Sequence, residues 1–425
     1  MTLLLAGFFI LFAMLGVPLA ISLGMGSILT LLITQKFPSA VVIHRMTAGI
    51  DSFVLLAIPF FILAGNLMNT GGITRRIFRF ANCLVGHIPG GLGHANVVAS
   101  MIFAGMSGSA VADAGGLGAV EMKAMDDEGY DRPFSAAITV ASSTIGPIIP
   151  PSIPMVVFGV MAEVSVGRLF MGGFIPGVLM GIALMVMVYF ISIKRNYPRH
   201  QLVSFKEFFK AFREAFLSLL TPVIIIGGIL LGFFTPTEAA VVAVLYALFL
   251  GIVVYREVSF RDLKEIFLES IVTTTTVTFI ISGAAAFAWL LAIEGLPQLL
   301  ANSVLSITRN RYIILFLLNV IFLIIGCLME GLSAMVITIP VIMPLIKMVG
   351  IDPVHFGVIL VLNLMIGVAT PPVGMCLFVV SRVANIKLET LFRAIIPFLW
   401  PLIAVLLLIT YVPQLVLWLP KLVLK

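Results

Sequence analysis

Apolar runs of roughly 20 residues, the length that crosses a bilayer core at 1.5 Å rise per residue, recur along this sequence from LLLAGFFILFAMLGVPLA to LIAVLLLITYVPQLVLWLP. A water-soluble domain needs about a quarter of its residues charged to cover its surface. Only 10% of these 425 residues are charged, against 61% hydrophobic. The class is therefore an all-α polytopic membrane protein, because a β-barrel would show short alternating segments instead.

Loop signals divide the runs. A first half, 1–193, holds spans between 3 and 70, a hairpin at 93–126, a broken helix at 134–162 and a span at 168–192. An amphipathic, basic connector follows at 194–215 and suits a membrane surface. The second half, 216–425, holds spans between 216 and 293, a hairpin at 312–348, a broken helix at 355–381 and a span at 392–420. Both hairpins read as re-entrant, with weak points at MSGSAVADAGG and CLMEGLSAM. Of the 25 Lys and Arg, this topology sends 17 to one side and 8, including Lys421 and Lys425, to the other. The positive-inside bias makes the first side cytoplasmic and places both termini outside. Met1 leads directly into an apolar run with no basic segment before it, so the first span is expected to be retained. The net charge of +6 thus serves topology, and no nucleic-acid partner is expected. Cys83, Cys327 and Cys376 form no CxxC pair and suggest packing.

The halves repeat. A shift of 221 residues superimposes Gly105 on Gly326, Asp131 on Asp352, Gly146 on Gly367, Pro150-Pro151 on Pro371-Pro372 and Pro176 on Pro397. Upstream, Pro18 faces Pro236 and Gly71 faces Gly295. Five spans and one hairpin per half turn the second half upside down, giving an inverted-topology repeat of the kind secondary transporters use.

Chemistry concentrates where chains break. ASSTIGPIIPPSIPMVVFG at 141–159 and its counterpart NLMIGVATPPVGMCLFVV at 363–380 place Gly and a proline pair at mid-span. Proline removes a helix hydrogen bond and clashes with the preceding turn, so each helix breaks there. Exposed backbone in hydrocarbon costs several kcal/mol per group, so a break belongs beside a cavity. Prolines also suit a helix start, which predicts half-helices beginning at Pro150-Pro151 and at Pro371-Pro372. A kink in a packing helix is the alternative, weakened by the matched positions.

Freed carbonyls and hydroxyls are hard ligands for a small cation, and half-helix N-termini attract anions. One Na+ is expected at Ser107, Gly108, Ser109, Ser143 and Gly146, and a second, by symmetry, at Gly326, Glu330, Ser333, Gly367 and Thr370. Ser109, Asp113, Pro150, Ser152, Pro371 and Pro372 are expected to line an anionic substrate's pocket. Small residues also serve close helix packing, the competing reading for any single Ser or Gly. Asp113 and Glu330 could alternatively each ligate a cation or carry a proton. Glu121, Glu163, Glu238 and Glu294 are expected near water. TTTT at 273–276 could line a path or bond back to its own helix. The five His are dispersed, and no metal centre or bond-breaking enzyme chemistry is expected. No GxxxxGK[ST] loop is present to hold nucleotide, so an ion gradient must drive transport. A channel would need a continuous polar pore, against which the scarcity of charge argues.

Five stretches together, PFFILAGNLMNTGGITRR, FAGMSGSAVADAGGLGAVEM, IGPIIPPSIPMVVFG, FTPTEAAVVAVLYAL and GVATPPVGMCLFV, resemble the large membrane subunit of TRAP transporters (tripartite ATP-independent periplasmic transporters), the DctM or SiaM type. The resemblance implies an elevator resembling the ion transporter superfamily, in which hairpins and broken helices move against a scaffold of the other spans. It further implies Na+-coupled import of an organic acid, C4-dicarboxylate or sialic acid, across a bacterial inner membrane. A separate small membrane subunit (DctQ or SiaQ type) and a periplasmic binding protein would be its partners.

Overall fold

The computed structural model describes residues 1–423, which are α-helical with no strand among the described residues. Lys425, counted in the charge balance, lies outside them. The first half runs through α1 (Thr2–Met14), α2 (Leu19–Thr34), α3 (Ala40–Ile50), α4 (Ala57–Thr70), α5 (Ile73–Val85) and α6 (Gly91–Ser107). It continues with α7 (Ala110–Gly115), α8 (Leu117–Asp127), α9 (Arg132–Ser143), α10 (Ile153–Ala162) and α11 (Val166–Arg195). The second half comprises α12 (Phe205–Leu230), α13 (Pro236–Leu248), α14 (Phe260–Ile293), α15 (Leu296–Ile307) and α16 (Arg311–Leu328). Then follow α17 (Gly331–Met348), α18 (Pro353–Gly367), α19 (Met375–Val383), α20 (Leu388–Tyr411) and α21 (Gln414–Val423).

Among the described residues, eight helical segments are long and apolar enough to cross a membrane, including both arms of the second hairpin, α16 and α17. The outer surface is apolar too, with Phe190 64%, Trp400 67% and Ile324 55% exposed. Such a surface requires lipid around it.

Packing is reciprocal between the halves. α2 lies on α14 as α13 lies on α4; α10 meets α17 as α19 meets α7; α9 meets α20 as α18 meets α11. In each pair the partners exchange roles under the repeat, as a pseudo-two-fold axis demands. Caps repeat as well. Asp131 accepts from the Phe134 amide at 3.2 Å and Asp352 from the Val354 amide at 2.8 Å, each starting the first limb of a broken helix. Those limbs form the centre: every residue of 134–143 and of 354–367 is buried.

Several segments differ from the reading of the sequence. The connector at 194–215 is not separate, because FKEFFKAFREAFLSLL contains no Gly or Pro to stop a helix and α12 runs from Phe205 to Leu230 in one piece. Its irregular part is only the stretch from Asn196, in the left-handed region at φ 53°, to Ser204, which caps α12. Helices α3 and α15 were not legible as spans because they are short, and α5 because Arg75, Arg76 and Arg79 interrupt its apolar run. α5 and α15 nonetheless correspond, each starting after a left-handed glycine, Gly72 (φ 69°) and Gly295 (φ 68°).

Candidate functional site at two hairpin tips and two helix breaks

The first tip is built by Gly108, whose φ of +62° ends α6 and turns the chain so that Ser109 can cap α7. A Cβ at Gly108 would lie 2.8 Å from the Pro151 carbonyl oxygen. Glycine is what lets the tip touch the break. The second tip, Met329-Glu330, meets its break through Gly326 and Gly367, where a Cβ on Gly367 would lie 2.6 Å from the Gly326 backbone. The Gly374 amide also donates to the Cys327 carbonyl at 3.3 Å.

Both breaks are real, and both proline pairs carry a cis peptide bond. Helix α9 ends at Ser143 and α10 begins at Ile153; α18 ends at Gly367 and α19 begins at Met375. The second limbs therefore start two to three residues later than the proline pairs suggested. In the first, Ser152 rather than a proline is the cap, accepting from the Met155 amide at 3.2 Å while donating to the Pro147 carbonyl. A proline pair cannot satisfy exposed amides at a helix start, whereas a serine hydroxyl can.

Hydroxyl bookkeeping decides what the site can bind. Ser143 Oγ donates to the Val140 carbonyl at 2.9 Å, Thr370 Oγ1 to the Ile366 carbonyl at 2.7 Å and Ser333 Oγ to Glu330 Oε2 at 3.0 Å. Ser107 Oγ donates to Asp113 Oδ1. A hydroxyl has one hydrogen, so these four retain only lone pairs, which suit a cation. Asp113 is 2% exposed, lies against Gly146, and its Oδ2 has no hydrogen-bond partner. Ser109 Oγ accepts from the Ala112 amide at 3.4 Å and keeps its hydrogen for another acceptor.

A cavity of about 1180 Å³ opens beside both tips. One wall carries Ser107, Gly108, Ser109, Pro147, Glu330 and Ser333; the opposite wall comes from the start of α2, from α4 and from α14. The structure thus brings Ser107, Gly108, Ser109, Ser143, Gly146 and Asp113 together at one tip and break, and Gly326, Glu330, Ser333, Gly367 and Thr370 at the other. The expected substrate groups scatter. Ser109 faces the cavity, but Ser152 is fully buried with its hydroxyl spent, and Asp113, Pro150, Pro371 and Pro372 are not on its walls. Glu330 differs from a free ligand as well: Oε1 accepts from the Leu332 amide at 3.0 Å and Oε2 from the Ser333 amide at 2.8 Å, so it caps α17.

Sequence reasoning missed Asn66 and Asn69 on the α4 wall. Two amides three residues apart share a helix face, and that spacing was the available signal. Asn66 Nδ2 donates to Ser270 Oγ at 3.0 Å, tying α4 to α14. Asn69 covers Gly116 of the hairpin, where a Cβ would lie 2.6 Å from Asn69 Oδ1. Thr273, Thr275 and Thr276 line the cavity, and Thr275 and Thr276 also donate to their own helix at 2.8 and 2.9 Å, so both readings of TTTT hold. Glu121 is not at a watery end: it is 1% exposed on α8, packed between hairpin and broken helix. Glu238 closes a capping box with Thr235, and Glu294 pairs with Lys36 at 2.9 Å. No cluster of three metal-binding side chains exists among the described residues.

Residues 6–415 match the family model described as "Tripartite ATP-independent periplasmic transporter, DctM component". The sialic acid TRAP transporter large permease SiaM of Vibrio cholerae is 51% identical over 96% of this chain and 95% of its own length. The sialic acid permease SiaT of Haemophilus influenzae is 42% identical over 96% of this chain, which spans 66% of that longer protein. The C4-dicarboxylate large permease DctM of Pseudomonas aeruginosa is 41% identical over 94% of each chain. The crystal structure of the Alcanivorax borkumensis YdaH transporter shares the fold at a TM-score of 0.64, covering 87% of this chain and 86% of that one, at 14% identity. With its broken helices, paired hairpins and a family match over nearly its whole length, this chain belongs to the DctM family of TRAP transporter large permeases.

Proposed function

We propose that the chain is the transport subunit of a Na+-coupled importer for an organic acid, working by an elevator movement of hairpins and broken helices against the α2, α4 and α14 wall. The observation that carries this reading is that both tips, with Pro147 of one break and Val368 of the other, line one cavity, and that the hydroxyls at and behind these walls have their hydrogens already committed. Ser107, Ser143 and the unpartnered Asp113 Oδ2 would hold one Na+, joined by backbone at Gly108, Ser109 and Gly146. Ser333, Thr370 and Glu330, with backbone at Gly326 and Gly367, would hold a second. Two Na+ moving down a 100 mV potential release roughly 4.6 kcal/mol before any concentration term. That exceeds the electrical cost of carrying in one monoanion.

The cavity carries Glu269 and Glu330 but neither Lys nor Arg among its described lining residues. A carboxylate entering it meets repulsion until sodium has bound, so the cation precedes the acid. Ser109 Oγ and backbone amides then supply donors. The similarity to SiaM puts sialic acid first among substrates, with C4-dicarboxylates next. A small membrane subunit and a periplasmic binding protein would complete the importer in the bacterial inner membrane. A proton-coupled carrier is the second reading, favoured by the orphaned oxygen of Asp113. Uptake of labelled sialic acid and succinate into proteoliposomes, with both partners supplied, separates them. Accumulation that follows an imposed Na+ gradient supports sodium coupling; accumulation that ignores it and follows pH overturns it.

A further inference from the structure

The first three turns of α12 carry three cations that the fold leaves without an ion-pair partner among the described residues. Lys206, Lys210 and Arg213 are exposed on one stripe of that helix. Of the acids nearest in sequence, Glu214 pairs with Arg79 at 2.6 Å, while Glu207, which accepts from Ser204 Oγ at 3.4 Å, keeps its charge and leaves the cations in excess. None of the three cations takes part in an ion pair among the described residues. Beside them runs an aromatic stripe, with Phe205 83%, Phe209 57% and Phe216 43% exposed.

The place of this double stripe identifies what covers it. Helix α12 continues without interruption into a segment apolar enough to cross the membrane, so its charged end emerges at headgroup depth. There the phenyl rings enter the acyl boundary while the cations meet the phosphates. Phe80 of α5 holds the platform in place, its ring 5.9 Å from those of both Phe208 and Phe212. Helix α5 leads through Gly86 and Gly90 into the first hairpin, so this surface anchors the base of an element that carries the site.

We propose that Lys206, Lys210 and Arg213, flanked by Phe205 and Phe209, bind the phosphate of an anionic phospholipid. Each basic residue near a charged bilayer contributes about fivefold in binding, so the three together favour an anionic over a zwitterionic lipid by about a hundredfold. The purified chain, exposed to phosphatidylglycerol or phosphatidylcholine in mixed micelles and assayed for retained lipid and for melting temperature, tests this without any transport substrate or sodium.

The wild type should retain phosphatidylglycerol selectively, and the K206Q/K210Q/R213Q variant should lose most of that preference. The K206R/K210R variant should keep it, which separates loss of charge from misfolding, as does an unchanged melting temperature of the Gln variant in lipid-free detergent. Three results would overturn the proposal. One is equal retention of both lipids by the wild type, as a protein-docking face would give. Another is selectivity that survives in the Gln variant. The third is displacement of the lipid by millimolar inorganic phosphate, which would mark a site for the soluble ion.

Discussion

Asn96 and Asn319 perform the same task in opposite halves of the molecule. Asn96 on α6 accepts from Ser142 Oγ at 2.7 Å and donates to Thr139 Oγ1 at 2.8 Å; Asn319 on α16 accepts from Asn363 Nδ2 at 3.0 Å and donates to Thr410 Oγ1 at 2.9 Å. Positions 142 and 363 are 221 apart, the repeat shift. In both halves a buried asparagine thus ties the leading arm of the hairpin to the first limb of the broken helix. Tip and break are held as one unit.

Cutting that tie should loosen the unit. Asn96→Ala leaves Ser142 and Thr139 short of a partner in a fully buried site, and buried orphaned groups cost roughly 1–3 kcal/mol, although bonds between membrane helices average about 0.6 kcal/mol. The expected loss is about 1 kcal/mol, read as a lowered melting temperature in detergent, with Asn319→Ala giving a similar loss. A variant as stable as the wild type would show that the tie contributes nothing.

Asp113 and Glu330 should separate by role. Asp113→Asn keeps volume but halves the acceptor capacity at the first tip, so apparent Na+ affinity should fall by about tenfold or more, the worth of a charged ligand. Glu330→Ala removes a helix cap and should cost roughly 0.5–2 kcal/mol of stability, with a smaller effect on Na+ affinity than Asp113→Asn. Paired Na+ titrations and melting curves on both variants check the ordering.

Gly116 and Asn69 supply a rescue test. A methyl at Gly116 would press on the Asn69 amide, the far end of a flexible side chain. Gly116→Ala alone should therefore slow uptake severalfold, and adding Asn69→Ala should restore much of it. Additive losses in the double variant would mean that the two residues do not act through this contact.

Gly, Pro and Asp carried most of what the sequence disclosed, because each has one dominant backbone use. The small residues around Gly108 marked a tip, the proline pairs had to break helices, and the match of Asp131 with Asp352 helped fix the repeat. Residues with several uses were opaque. Ser152 could have faced a ligand or its own amides, and only coordinates show the Pro147 carbonyl taking its hydrogen. Glu121 sits near a helix end in sequence yet is enclosed, because burial there depends on how α8 packs against α5 and α9. Asn66 and Asn69 were overlooked because the wall opposite the tips arises from tertiary packing of α4 on α14. Helix α5, no shorter than α1, was hidden because Arg75, Arg76 and Arg79 interrupt its apolar run and lower its hydropathy.

Titrating the purified chain with NaCl against KCl at constant ionic strength, with melting temperature as readout, addresses the sodium site without any partner. The account predicts saturable stabilisation by Na+ alone, weakened by Ser107→Ala at the first tip and by Thr370→Val at the second break. Equal responses to Na+ and K+, undiminished in both variants, would contradict it.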